Sequence, residues 1–228
     1  MRGPLFMEDV VKYQAVLFDF DYTLGDSTGP IVASFTAALT AMGFPAPERE
    51  AVRLTVGHTL EDGYTLITGD QDGERRKEFF RRFKAHAAGI MEQDTVLCPG
   101  AAELLERLYA AGVPAGIVST KGGDVIDGIF RNHGLRDRLA LIVGGQDVTR
   151  NKPDPEGLEL AVERLGADKV RVLFCGDTVI DAETARRAGV DFCAVLNGTT
   201  PAPAFDEYPH VHIAPDLAEL QRWLREGE

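Results

Sequence analysis

Two aspartates, Asp19 and Asp21, sit one residue apart at the end of the short apolar run "VLFDF", and Thr23 follows at the same spacing. Carboxylates this close repel, and an apolar strand gives them little solvent in which to do so. Three later segments carry residues suited to the same chemistry. "IVSTKG" ends an apolar run with Ser119, Thr120 and Lys121, "TRNKPDPEG" sets Lys152 ahead of two prolines, and "GDTVIDAETA" supplies Asp177 and Asp181. Carboxylates from two strands can hold Mg²⁺, a hard cation that takes oxygen ligands and offsets the repulsion between neighbouring acids. A lysine and a serine hydroxyl can hold the oxygens of a transferring phosphoryl group, where positioning and charge neutralisation supply most of the catalysis. A carboxylate can itself be the nucleophile, forming an aspartyl-phosphate that water later hydrolyses. A second carboxylic acid then protonates the leaving oxygen, a role that needs a pKa above the ordinary Asp value of about 3.9.

These residues meet only if the chain brings strand ends together. Short apolar runs at 14–20, 113–119, 139–145, 170–176, 190–196 and 210–213 read as strands buried on both faces. Between them, 101–112, 124–134, 155–166 and 181–189 show helical periodicity, with glycines at 112, 166 and 189 closing three of these segments. Alternating β and α units predict a Rossmann-like α/β fold with a parallel sheet, whose ligands bind beyond the carboxyl ends of the strands. One interval breaks the alternation. Residues 27–97 lack a convincing buried strand and instead place Ile31, Phe35, Ala38, Leu39 and Met42 on one helical face, then Phe79, Phe80 and Phe83 among six cations. That is too long for a simple connection. The expected organisation is an α/β core of residues 1–26 and 98–228 with a helical cap domain, 27–97, inserted at hinges near 25–27 and 98–100.

Composition bounds the partners. The 228 residues are 44% hydrophobic and 26% charged, enough to bury a sizeable core, and the net charge of −12 argues against nucleic acid or an anionic membrane as partner. Three cysteines, Cys98, Cys175 and Cys193, form no disulfide framework and suit a reducing compartment. The first thirteen residues lack a signal-peptide pattern and no segment is long and apolar enough to span a membrane, so a cytoplasmic location is expected.

Taken in order, "DFDYTL", "IVST", "KPDP" and "GDTVID" resemble the four motifs of the haloacid dehalogenase-like hydrolase superfamily. The resemblance spans essentially the whole chain. "TVGHTLEDGY", "CPGAAELLERLYAAG" and "VGGQDVTRNKPDPEGL" look most like its phosphoglycolate phosphatase-like branch. It implies a Mg²⁺-dependent phosphatase acting on a small phosphorylated metabolite. By motif position it implies Asp19 as nucleophile and metal ligand, and Asp21 as acid and base with its main-chain carbonyl on the metal. Ser119, Thr120 and Lys152 would bind the phosphoryl group, Asp177 would ligate Mg²⁺, and Asp181 would ligate it through water or orient its shell. Tyr22 departs from the family, which usually has glycine there, and Thr120 stands where this branch often has asparagine.

Other residues carry weaker signals. His58, in a loop of the expected cap, and Lys121 are candidates for substrate contact. His210 and His212 have metal-like spacing, but alternation along a strand explains it, and the cations from Arg75 to Lys84 read as a solvated helix face. The same motifs serve sugar-phosphate mutases and pyrophosphatases of the superfamily. Outside enzymes, a phospho-aspartate signalling or binding module also gathers such acids, but it leaves 27–97 without a purpose.

Overall fold

The computed structural model describes residues 12–226, so most of the N-terminal stretch read for a leader, 1–11, lies outside them. β1 (Ala15–Phe18), buried at every position, runs into the aspartate segment. A turn leads to β2 (Gly25–Asp26), and then come α1 (Thr28–Ala41), α2 (Arg49–Arg53), α3 (Leu60–Thr68), α4 (Gly73–Ala87) and α5 (Met91–Asp94). β3 (Val96–Leu97) returns the chain to α6 (Ala101–Ala110), β4 (Ala115–Val118), α7 (Gly123–Asn132) and β5 (Leu139–Val143). The rest comprises α8 (Glu156–Leu165), β6 (Val172–Gly176), α9 (Val179–Ala188), β7 (Asp191–Val195), β8 (His212–Ala214) and α10 (Leu217–Glu226).

Six strands form one parallel sheet in the order β5-β4-β1-β6-β7-β8. The chain builds outward from β1 through β4 and β5, then crosses back to build the other side from β6. That reversal opens a crevice at the carboxyl ends of β1 and β6, where such sheets bind ligands. Alternate residues of β1 serve opposite faces. Val16 and Phe18 pack with Leu105, Ile126, Phe130 and Leu217, from α6, α7 and α10. Ala15 and Leu17 pack with Leu158 and Ala182 from α8 and α9. Burial on both faces is why the strands read as unbroken apolar runs. Each of the six runs holds a strand, the last displaced to His212–Ala214 from 210–213.

Residues 28–94 form five helices around their own apolar cluster, in which Phe35 of α1 meets Phe79 of α4 with ring centres 4.9 Å apart. Phe79 and Phe83, one helical turn apart, are buried there. Phe80 lies off that face and is half-buried, with the Lys84 ammonium 5.6 Å from its ring centre. Met42, expected on the apolar face of α1, is likewise only half-buried. β2 and β3 pair antiparallel, Gly25 with Leu97 and Asp26 with Val96, and form a narrow neck between helices and sheet. So the interval 27–97 does end in a strand, one too short to show a two-residue period. No helix among the described residues is long and apolar enough to cross a membrane.

Candidate active site

Asp19 leaves the end of β1 with its amide donating to the Cys175 carbonyl of β6 at 2.8 Å. Asp177 follows β6, and Asp181 lies in the first turn of α9. All three are buried, and one carboxylate oxygen from each lies within 4.8 Å of the others. Local sequence aims Asp181 inward. Thr178 caps α9 by accepting from the Asp181 amide, while Asp181 Oδ2 accepts from the Thr178 amide at 3.1 Å and its hydroxyl at 2.6 Å. This reciprocal box satisfies helix-end donors and fixes the carboxylate. Gly176 makes the fit possible, since a β-carbon there would overlap the Asp181 side chain.

Lys152 sits between two of these acids, 3.0 Å from Asp19 Oδ1 and 2.6 Å from Asp181 Oδ1, with a side chain only 4% exposed. Burial works against its charge, but Asp181 and Asp19 outweigh that and hold its pKa above the ordinary lysine value. Burial, then Asp181 and Asp19, push Asp177 well above the carboxylate range. Asp181 is raised by burial against the pull of Lys152. One ammonium therefore faces three buried carboxylates.

The donor set fits a hard divalent cation. Asp177 Oδ2 is buried with no hydrogen-bond partner among the described residues, and its Oδ1 accepts only a 3.5 Å bond from the Thr23 hydroxyl. Oxygen ligands with excess negative charge suit Mg²⁺. Gly198 crosses so close that a β-carbon would overlap the Asp177 carboxylate. Gly198→Ala is therefore expected to displace that carboxylate, lowering stability by about 1–3 kcal/mol and blunting the rise in Tm expected of the wild type on addition of Mg²⁺. Thermal denaturation over a Mg²⁺ series checks this; an unchanged Tm and an unchanged response would refute it.

Asp21 occupies a tight turn in which the amides of Thr23, Leu24 and Gly25 all donate to the Phe20 carbonyl, at 3.2, 2.9 and 2.9 Å. Its Oδ2 lies 3.1 Å from the Lys121 ammonium. Burial raises its pKa, partly countered by Lys121 and by the Ser27 hydroxyl. The raised value suits a group that must hold a proton and give it up. Lys121 follows β4 and also lies 3.6 Å from the Met91 sulfur of α5, so its ammonium pairs with the acid and leans on a helix of the insert. Ser119 is buried at the end of β4 and lines a small cleft with Lys152, Val143, Gly144 and Gly157. Thr120 beside it is half-buried, its carbonyl closely packed on Gly145.

The chain thus gathers Asp19, Asp21, Ser119, Lys121, Lys152, Asp177 and Asp181 at the carboxyl ends of β1, β4 and β6. His58 is not among them: it is exposed in the α2–α3 loop. Its neighbour Gly57 does reach the site's edge, where a β-carbon would lie 3.4 Å from the Thr178 methyl. His212 bonds Glu219 at 2.8 Å and stacks on Trp223, which ties β8 to α10. Three cations of α4 pair along their own helix, Lys77 with Glu74 and both Arg81 and Arg82 with Glu78, while Arg75 reaches Asp70 ahead of it. Thr23, Thr178 and Gly198 belong to the site although sequence reasoning had not assigned them to it. Thr23 carries a signal in the two-residue spacing it shares with Asp19 and Asp21, and Thr178 in its capping-box spacing to Asp181; Gly198 carries none.

The family model described as "Haloacid dehalogenase-like hydrolase" matches residues 16–195. An N-acetylmuramic acid 6-phosphate phosphatase from Pseudomonas aeruginosa is 34% identical over 193 residues, 82% of this chain and 84% of that protein. A phosphoglycolate phosphatase from Salmonella typhimurium is 28% identical over 204 residues, covering 80% of this chain and 81% of its own. A crystal structure described as a haloacid dehalogenase-like hydrolase, from Bacteroides fragilis, superposes with a TM-score of 0.88 at 40% identity, over 91% of this chain and 99% of that one.

Proposed function

The chain belongs to the haloacid dehalogenase-like hydrolases, in their phosphoglycolate phosphatase-like branch, and on that footing we propose that it is a Mg²⁺-dependent phosphatase of a small phosphorylated metabolite. The observation that carries this reading is Lys152 clamped between Asp19 and Asp181, beside an unpartnered oxygen of Asp177. Asp19, Asp177, Asp181 and the main-chain carbonyl of Asp21 would hold the ion. When bound, Mg²⁺ neutralises charge between the carboxylates and the phosphoryl oxygens.

Ser119 and Lys152 hold those oxygens, so that phosphorus faces Asp19. A carboxylate oxygen of Asp19 forms a bond to phosphorus while the bond to the ester oxygen breaks. Asp21 gives its proton to that oxygen, and an alcohol leaves. Asp21, now ionised, takes a proton from water, whose oxygen bonds to phosphorus as the Asp19–phosphorus bond breaks. Inorganic phosphate departs with both aspartates restored. The helical insert, 27–97, serves as the cap that keeps bulk water from the acyl phosphate. The approach of Gly57 to Thr178 supports that role. Three cysteines, all buried and unpaired, support a reducing, cytoplasmic setting.

The two substrates named in the relatives are the first to test. Phosphate release with Mg²⁺ should be measured on N-acetylmuramic acid 6-phosphate, phosphoglycolate, pyrophosphate and hexose phosphates, with Asp19→Asn as the blank. Release above the blank from a monoester is the expected result. Release from none would overturn the reading.

A further inference from the structure

Tyr22 is the one non-glycine residue with positive φ among the described residues, at +58°. That region disfavours L side chains, and a glycine would occupy it freely. The turn's backbone fixes it, the Tyr22 amide donating to the Gly25 carbonyl at 2.7 Å, and its side chain adds a second anchor. The ring is nearly buried, and its hydroxyl hydrogen-bonds the Thr28 hydroxyl at 2.6 Å, at the first residue of α1. Arg53, at the end of α2, lies within electrostatic reach of the same hydroxyl, its nitrogens Nε and Nη2 forked onto Glu50 at 2.8 and 2.9 Å. Beyond Arg53 the chain enters the 54–59 loop, whose Gly57 rests by Thr178, the residue that fixes Asp181. One side chain on the nucleophile turn thus bonds the start of α1 and adjoins the end of α2, from which the loop at the site's edge departs.

Position relative to the reaction gives this brace a consequence. Ser119 and Lys152 hold the phosphoryl end of an ester, and Asp21 meets the leaving oxygen. The rest of the leaving group therefore extends on the Asp21 side, toward its neighbour Tyr22 and the 54–59 loop. We infer that Tyr22 is a positioning residue that sets how large a leaving group the site admits, by holding this loop in place; the inference rests on the phosphatase reading above.

The test compares wild type, Tyr22→Phe and Tyr22→Gly on a small ester, phosphoglycolate, and a bulky one, N-acetylmuramic acid 6-phosphate. The quantity read is the ratio of the two kcat/KM values, from which the fraction of folded enzyme cancels. Tyr22→Gly is expected to move the ratio toward the bulky ester by about tenfold or more. Tyr22→Phe keeps the ring and loses the hydroxyl, so the same shift is expected at about threefold. Ratios within about twofold of wild type in both variants, or a shift toward the small ester, would overturn the inference while leaving the phosphatase reading intact. A wild type inert on both esters would overturn the inference, and the phosphatase reading falls with it only if the hexose phosphates also release no phosphate.

Discussion

Asp19→Asn should lose phosphate release by on the order of 10⁴-fold or more and keep its fold. The amide matches the carboxylate in shape and leaves the backbone bond from Asp19 to Cys175 untouched. It is not a nucleophile toward phosphorus, so the covalent step has no substitute. Stability should move the other way. Asp19 is one of three buried carboxylates facing a single ammonium, and Lys152 keeps its shorter contact to Asp181 at 2.6 Å. Deleting one like charge relieves repulsion, so with a chelator present the variant's Tm should equal or exceed that of wild type. Phosphate release and thermal denaturation on one preparation separate the two effects. A variant both inactive and markedly less stable would point to a structural role for Asp19.

The second large effect is at Lys152. Lys152→Met keeps the length and apolar body of the side chain and removes its charge. It should abolish turnover, because on the proposed mechanism the phosphoryl oxygens lose their fixed cation. It should also destabilise the fold. Leaving buried charges without their partner typically costs about 3–5 kcal/mol, which for a chain of this size lowers Tm by on the order of 10 °C. Adding Asp181→Asn discriminates the cause. If uncompensated charge is responsible, the double variant recovers much of the lost Tm and none of the activity. Failure to recover would mean that Lys152 contributes packing, for instance against the Phe174 ring 5.8 Å away, more than charge balance.

The sheet was legible because both of its faces are covered, and an unbroken apolar run such as "AVLF" can hardly lie elsewhere. Asp19, Asp21 and Asp177 were legible because each follows such a run directly, whereas Asp181 lies in the first turn of α9 and was legible through the motif it shares with Asp177. Other parts were not. Thr23 reaches Asp177 across 154 positions, and Gly198 is set against the same carboxylate by a loop after β7; no local pattern encodes either meeting. β2 and β3 are two residues each, too short for periodicity. Lys121 reads as a candidate for substrate contact, and only the fold shows its ammonium 3.1 Å from Asp21. Tyr22 occupies a backbone region its residue type disfavours, so propensity alone points away from the observed turn.

Passage of a phosphoryl group through Asp19 is the proposed step on which the other residues' roles depend. The direct measurement uses an Asp21→Asn variant, which retains the proposed nucleophile and lacks the proposed base. Incubated with Mg²⁺ and a radiolabelled phosphate ester bearing a good leaving group, it is quenched in acid and digested. The expected result is label on the peptide that contains Asp19, lost on treatment with hydroxylamine, and no label in the Asp19→Asn, Asp21→Asn double variant. Label on another residue would contradict the account, as would alcohol and phosphate released together with none captured on the protein.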